Sequence, residues 1–175
     1  AELPKAALFC LELVTASGPS AGLLPRELRR LPLVPSLLEG EGMSARFGTH
    51  VGRQHQPGYF EAWLPDSGLR HCISREALKV SWDACGRDLT LLSCTPNSVS
   101  VDGRLVARNS SVQLRPGSEL AFTYEDRLLL RLRLVPLHSA LAGPTATAGR
   151  RLDAEPLLQL ACLPLLACLS WLKQL

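Results

Sequence analysis

The sequence predicts an all-β protein, an antiparallel β-sandwich followed by an apolar C-terminal segment that favours a helix. Three observations lead to this prediction. Short runs of alternating apolar and polar residues recur up to residue 137, turn-forming Gly, Pro, Asp and Asn separate them, and none of these runs has a convincing helical period. The chain has 175 residues, of which 46% are apolar, so it can form a packed core and is not wholly disordered.

The N-terminal half predicts short strands broken by proline and glycine. Residues 7–14 alternate loosely and predict a first strand. Residues 31–38 contain two prolines, which permit only an edge strand or an irregular extended piece. The glycine-rich stretch 39–58 predicts loops around one short strand at residues 49–51. Further short strands are predicted at 60–64, 79–82 and 89–94, with turns at 65–68 and 83–88.

The β pattern is clearest after Asn97. Val99 and Val101 alternate with serines, and Asp102-Gly103 then predicts a two-residue hairpin turn. The remaining alternating runs predict strands around residues 112–114, 120–124 and 130–134, the last with arginines on its outer face.

Two segments after the sandwich differ from it in composition. Residues 138–154 are mostly small and polar and predict a flexible linker. The segment 155–175 is apolar on nearly every side, and a helix over residues 157–172 would be about 24 Å long, short of the roughly 30 Å hydrocarbon core of a bilayer. A helix packed on this domain or on a partner, a membrane tail anchor that is not favoured, and an unstructured end all remain open. The predicted domains are therefore 1–137, 138–154 and 155–175.

Charge and cysteine content exclude several classes of protein. The net charge is only +3, and the sequence has no basic stripe with interleaved aromatic residues, the pattern that indicates nucleic-acid binding. The six cysteines have no metal-type spacing, and the four histidines do not complete a zinc pattern, so we predict no metal and reduced thiols in an intracellular protein, nuclear or cytoplasmic. His55 and His71 are predicted to be solvated loop residues. The chain starts at Ala1 without a signal-peptide pattern, which is typical of a piece of a longer protein.

The sequence predicts neither an enzyme nor a cofactor. Cys72 beside His71 is the one candidate nucleophile pair, but neighbours on a strand point to opposite faces. The sequence has no glycine-rich phosphate loop and no Gly-x-Ser-x-Gly motif.

Three polar segments stand apart from the core pattern: Gly52-Arg53, residues 73–77 (Ile-Ser-Arg-Glu-Ala) and residues 96–103 (Pro-Asn-Ser-Val-Ser-Val-Asp-Gly). In this order and spacing they resemble the forkhead-associated (FHA) domain. That family has Gly-Arg at the end of an early strand, Ser-x-x-His in the next loop and Asn-Gly-x-x-x-Asn-Gly further on. The resemblance covers residues 6–136 and implies an eleven-stranded, FHA/SMAD-like sandwich whose loops at one end bind phosphothreonine peptides.

The resemblance implies a role for four residues. Arg53 would pair with the phosphate, Ser74 would donate its hydroxyl to it, Arg75 would reach the phosphate or the peptide backbone, and Asn97 would bond the peptide main chain. These residue types suit a ligand with three acceptor oxygens and a charge of about −1.5 to −2. Two or three such bonds, less the ordering cost, correspond to micromolar binding, roughly −8 kcal/mol.

The sequence departs from the family pattern at four positions. Ala77 replaces the histidine that supports the serine loop, Ser98 replaces Gly, and Val99 replaces Thr. Asp102 replaces the second Asn, which is expected to bring a carboxylate to the binding end. Arginines in nearby loops would offset that charge if they lie at the same end. The expected supporting residues are therefore Arg70, Ser98, Asp102 and Arg104, with Arg108 as a further candidate.

Two functional hypotheses follow. The first is a phosphothreonine-dependent module that recruits a phosphorylated protein. The alternative is a degenerate FHA-like scaffold that binds protein without phosphate dependence, with or without a membrane tether through residues 155–175. Simpler interpretations of the same residues stay open: Arg53 as a surface arginine, Ser74 as a turn residue, Asn97 as a loop cap, and Arg75 as an ion-pair partner of Glu76 or Asp83.

Overall fold

A computed structural model describes residues 7–18, 20–39, 46–83 and 85–137. The chain divides into two units, Ala1–Leu141 and Ala142–Leu175, and the described residues all belong to the first. They contain three short α-helices, α1 (Arg26–Arg29), α2 (Pro57–Trp63) and α3 (Ser67–His71), and one 3₁₀ turn of helix at Ala21–Leu23. They also contain eleven strands: β1 (Phe9–Ala16), β2 (Arg30–Pro32), β3 (Ser36–Glu39), β4 (Arg46–Val51), β5 (Leu78–Asp83), β6 (Thr90–Ser93), β7 (Ser98–Val101), β8 (Arg104–Val106), β9 (Ser111–Gln113), β10 (Glu119–Tyr124) and β11 (Arg127–Pro136).

The strands form two antiparallel sheets. One has six strands in the order β2-β1-β11-β10-β7-β8, and the other has five in the order β3-β4-β5-β6-β9. The predicted all-β sandwich of eleven strands is confirmed. The proline-containing stretch 31–38 supplies β2 and β3, which both lie at sheet edges, where a missing N–H breaks no ladder.

The predicted alternation places the core between the sheets. On β5, Leu78, Val80 and Trp82 are buried, while on β11 the leucines from 130 to 134 are buried and the intervening arginines are exposed. Each strand therefore turns one face inward, as a half-buried antiparallel strand does. Trp63 and Trp82 are both core residues, at 0% and 1% exposure.

The prediction of no helix before residue 138 was wrong, and so was the strand at residues 60–64. Residues 57–63 form α2, in which Phe60, Trp63 and the following Leu64 are buried. Their i, i+3, i+4 spacing is helical, but the run is too short for periodicity to separate it from a strand. The predicted turn at 65–68 is the start of α3, where the Asp66 side chain accepts the Gly68 N–H at 2.7 Å.

The predicted linker at 138–154 and the apolar segment at 155–175 lie outside the described residues. Within the described residues, no helix is long and apolar enough to cross a membrane. The four cysteines there, Cys10, Cys72, Cys85 and Cys94, are free. Burial raises the pKa of the Cys10 thiol to about 11, so this thiol remains protonated at neutral pH.

Candidate functional site

Three loops meet at one end of the sandwich, which we call the rim. The arginine loop (52–56) follows β4, the serine loop (72–77) precedes β5, and the asparagine loop (94–97) joins β6 to β7. The Ala77 carbonyl accepts the N–H groups of Cys94 and Thr95, at 2.9 and 3.2 Å, which attaches the asparagine loop to the serine loop. Ala77 therefore contributes to this contact through its backbone carbonyl.

The arginine and serine loops are joined by backbone hydrogen bonds. Arg53 N donates to Ser74 O at 3.3 Å, and Gln54 N donates to Arg75 O at 3.1 Å. Gly52 permits this approach, because a Cβ placed there would lie 2.2 Å from the Arg75 carbonyl oxygen. The Gly-Arg pair of the sequence thus places Arg53 directly beside Ser74.

The Arg53 side chain is half-buried and fixed at one end. Its Nε donates to the Ile73 carbonyl at 2.9 Å. The two terminal nitrogens have no hydrogen-bond or ion-pair partner among the described residues. A guanidinium held this way keeps the donors that can form a two-pronged contact with an anion.

The Thr95 hydroxyl holds Ser74, and no motif of the sequence indicated Thr95. The Ser74 and Thr95 hydroxyl oxygens are 2.6 Å apart, and Thr95 is only 2% exposed. Thr95 Oγ1 also accepts the Asn97 N–H at 3.0 Å. Either hydroxyl can donate in this pair. Donation from Thr95 to Ser74 gives the proton of buried Thr95, which has no other acceptor among the described residues, a partner. The Ser74 proton then remains available to a ligand.

Asn97 is fixed to the serine loop by its side chain. Its Nδ2 donates to the Cys72 carbonyl at 2.5 Å. The side-chain oxygen has no partner among the described residues and can accept a peptide N–H. The predicted residues Arg53, Ser74 and Asn97 therefore lie together on the rim, linked through one loop.

The Arg75 side chain is exposed and forms no hydrogen bond or ion pair with the other described residues. The alternative ion pairs are absent there, because Glu76 pairs with His50 and the Asp83 side chain accepts backbone N–H groups of Arg87 and Asp88. Arg75 thus lies beside Ser74 with its charge unneutralised by an ion pair.

The expectation that Asp102 and Arg104 support the site was wrong. Both lie at the far end of β7, and roughly 16 Å of strand separates Asp102 from Asn97 at about 3.3 Å per residue. Asp102 forms the predicted hairpin turn with Gly103, both at positive φ (50° and 78°). Its carboxylate accepts the Ser118 hydroxyl at 3.0 Å and the Glu119 N–H at 2.8 Å.

The other two supporting residues lie nearer the rim. Ser98 is exposed at the start of β7, directly after Asn97. Arg70, in the last turn of α3, donates to the Leu64 carbonyl at 3.3 Å, so one of its nitrogens is already engaged. Neither side chain forms a described contact with Arg53, Ser74 or Asn97.

Two charged loops complete the rim. The loop between β8 and β9 carries Arg108, which is exposed. This loop lies at the rim because Val106 pairs with Val99 at the start of β7, and Asn109 N donates to the Ser93 carbonyl at the end of β6 at 2.7 Å. The β10–β11 turn contributes Glu125 and Asp126, since Thr123 pairs with Ser98. The Glu125 carboxylate raises the pKa of the adjacent Tyr124 hydroxyl. Carboxylates thus do lie on this rim, but on a different turn from the predicted one.

No protein-family model matches the chain. No curated protein matches it in sequence. Among solved structures, an engineered FHA domain with a Myc-pTBD peptide is similar at 17% identity and a TM-score of 0.50, covering 75% of this chain and 93% of that one. The N-terminal FHA domain of Rad53p from S. cerevisiae, in complex with a phosphothreonine peptide, has 17% identity and a TM-score of 0.48, covering 74% and 93%. The described part of this chain is a divergent FHA-like β-sandwich.

Proposed function

We propose that this domain binds phosphorylated peptides, reads phosphothreonine, and so recruits a phosphorylated protein without catalysing a reaction. The supporting observation is that the Arg53 N–H donates to the Ser74 carbonyl and the Arg53 Nε donates to the Ile73 carbonyl, so the guanidinium is held against the loop that carries the Ser74 hydroxyl. A phosphate ester needs this combination of a planar cation and a neutral donor.

Each of the proposed binding residues has a donor or an acceptor that suits its role. Arg53 offers its terminal nitrogens to two phosphate oxygens, and Ser74 offers the proton that Thr95 leaves free. Arg75 adds a second positive charge, while the Asn97 side-chain oxygen accepts an N–H of the peptide backbone. The ligand is therefore held by its charge and by its main chain.

The expected affinity is micromolar. Each charge-assisted hydrogen bond contributes about 1.5–3 kcal/mol, and association and peptide ordering offset part of the total. The Glu125 and Asp126 carboxylates on the β10–β11 turn reduce attraction to a phosphate, and Arg108 opposes them. This charge balance makes binding more sensitive to the individual arginines than to the net charge of the protein.

The alternative function is a scaffold that binds protein without a phosphate. The observation in its favour is that Ser74 and Asn97 already have hydrogen-bond partners within the rim. Under this hypothesis the two side chains serve only to hold the loops together, and a peptide would bind equally well with or without its phosphate.

The test is binding of a fluorescent degenerate phosphothreonine peptide library, and of its unphosphorylated twin, to the full chain. We expect at least tenfold weaker binding of the unphosphorylated twin, which corresponds to about 1.4 kcal/mol. A phosphoserine library asks separately whether threonine is read. Equal retention of the phosphorylated and unphosphorylated libraries would favour the scaffold.

A further inference from the structure

We propose that His50, His55 and Glu76 form a zinc-binding site beside the rim. One donor atom from each side chain lies within 4.8 Å of the other two. His50 Nδ1 is 2.5 Å from a Glu76 carboxylate oxygen, and the two imidazole rings are 5.4 Å apart between centroids, tilted by 35°. The site is separate from the proposed peptide ligands, although Glu76 follows Ser74 and Arg75 in the serine loop.

The backbone brings His55 back over His50 without the help of a metal. His55 N donates to the Gly52 carbonyl at 3.0 Å, which closes a tight turn directly after β4. The Gln56 side chain spans this turn, donating to the His50 carbonyl at 2.8 Å and accepting the Gly52 N–H at 3.1 Å. The two histidines are therefore positioned by the arginine loop itself, and Glu76 approaches from the serine loop.

The donor set fits zinc. Two imidazole nitrogens and one carboxylate oxygen, with a fourth position open to water, are a common protein ligand set for Zn²⁺. Donors about 2.0–2.2 Å from a tetrahedral ion lie roughly 3.3–3.5 Å apart, so small side-chain rotations would form the site from the present arrangement. The hydrogen bond between His50 and Glu76 would be replaced by two bonds to the metal.

The surroundings set the expected strength of binding. The His50 and Glu76 side chains are 39% and 48% exposed, so an ion could enter from solvent and keep a water ligand. Lys79 lies opposite His50 on the neighbouring strand and adds a positive charge near the metal. Three partly exposed ligands beside a cation favour weaker binding than a buried four-ligand zinc site would show.

The simpler interpretation is an ion pair between His50 and Glu76. That interpretation gives no role to His55, whereas a metal site requires it. His55 is exposed and lies on a turn, so its replacement removes a ligand with little expected effect on folding. The His55→Ala variant therefore distinguishes the two interpretations.

The first test is a Zn²⁺ titration of the reduced full chain, in competition with a chromophoric chelator. We expect one ion per chain at this site, and at least tenfold weaker binding in His55→Ala and in Glu76→Gln. His71→Ala, which replaces an exposed histidine outside the cluster, should bind as the unmodified chain does. Unchanged binding in His55→Ala, or an equal loss in His71→Ala, would overturn the proposal.

A second measurement separates this site from the cysteines. Cobalt bound to the unmodified chain should give a spectrum whose visible bands disappear in His55→Ala and which lacks a thiolate-to-metal band. A thiolate band that persists in His55→Ala would assign the metal to cysteines instead. Zinc should also raise the Tm of the unmodified chain more than that of His55→Ala at the same zinc concentration, because stabilisation follows the affinity of the folded state for the ion. These outcomes do not depend on whether the rim binds a phosphopeptide.

Discussion

The two ends of strand β7 use similar polar residues in different ways. At the Asp102 end, the carboxylate accepts hydrogen bonds from Ser118 and Glu119 and so fixes the turn to the start of β10. At the Asn97 end, the loops are held mainly by backbone atoms and by buried Thr95, and Arg53 and Arg75 retain donors without partners among the described residues. The comparison teaches that a ligand site depends on donors left available after the loops are fixed.

Gly52→Ala should have the largest effect at the rim. The new Cβ would lie 2.2 Å from the Arg75 carbonyl oxygen and 2.9 Å from the Ala77 nitrogen, so the arginine and serine loops must separate. We expect phosphopeptide binding to fall below detection and the free energy of unfolding to fall by about 2–4 kcal/mol, measured by urea denaturation. Gly58→Ala, where a Cβ meets nothing within 4 Å, is the matched control. Equal peptide affinity in the two variants would contradict the proposed loop contact.

Arg53→Ala compared with Arg104→Ala tests which end of β7 binds the peptide. Loss of the Arg53 guanidinium should weaken phosphopeptide binding more than tenfold, about 1.5 kcal/mol or more, because a charge-assisted contact is removed. Exposed Arg104, at the Asp102 end, should be replaceable without effect. Fluorescence anisotropy with one phosphothreonine peptide gives both values, and the reverse ranking would show that the binding end has been assigned wrongly.

Thr95→Val removes the hydroxyl that supports Ser74 while preserving the shape of the side chain. The Asn97 N–H loses its acceptor and the Ser74 hydroxyl loses its fixed orientation. We expect about three- to tenfold weaker phosphopeptide binding and a loss of about 1–2 kcal/mol in unfolding free energy. Thr95→Ser keeps the hydroxyl and should restore most of the affinity in a calorimetric titration. If Thr95→Ser binds no better than Thr95→Val, the hydroxyl is not what supports Ser74.

Asp102→Ala should have the smallest effect on binding and a moderate one on stability. Its carboxylate fixes the β7–β8 turn to Ser118 and Glu119, so we expect unfolding to become easier by about 1 kcal/mol. Phosphopeptide affinity should stay within twofold, since the turn lies at the other end of β7. A clear gain in affinity would instead mean that the Asp102 carboxylate lies at the binding end and repels the phosphate, as predicted from the sequence.

The sequence was sufficient where a local pattern determines the structure. Alternating residues predicted β7, β10 and β11, and the Asp-Gly pair predicted the turn between β7 and β8. Helix α2 was missed because seven residues are too few to distinguish a helical from a strand period.

The candidate site was predictable only in part. Arg53, Ser74 and Asn97 were found through the order of their motifs, and the structure brings them together. Asp102 was misplaced because the family motif spans both Asn97 and Asp102, although the strand predicted at Val99 and Val101 already separates them. Thr95 was missed because its role depends on a contact with Ser74, 21 residues earlier in the chain.

The most direct test of the central claim is an NMR titration of the chain with a phosphothreonine peptide and with its unphosphorylated twin. The claim is that the Arg53 guanidinium and the Ser74 hydroxyl contact one phosphate. It predicts phosphate-dependent shifts of the Arg53 side-chain Nε–H and of the Ser74 and Arg75 amides, with Asp102 and Gly103 unchanged. Identical shifts with both peptides, or shifts concentrated at residues 102–104, would contradict it.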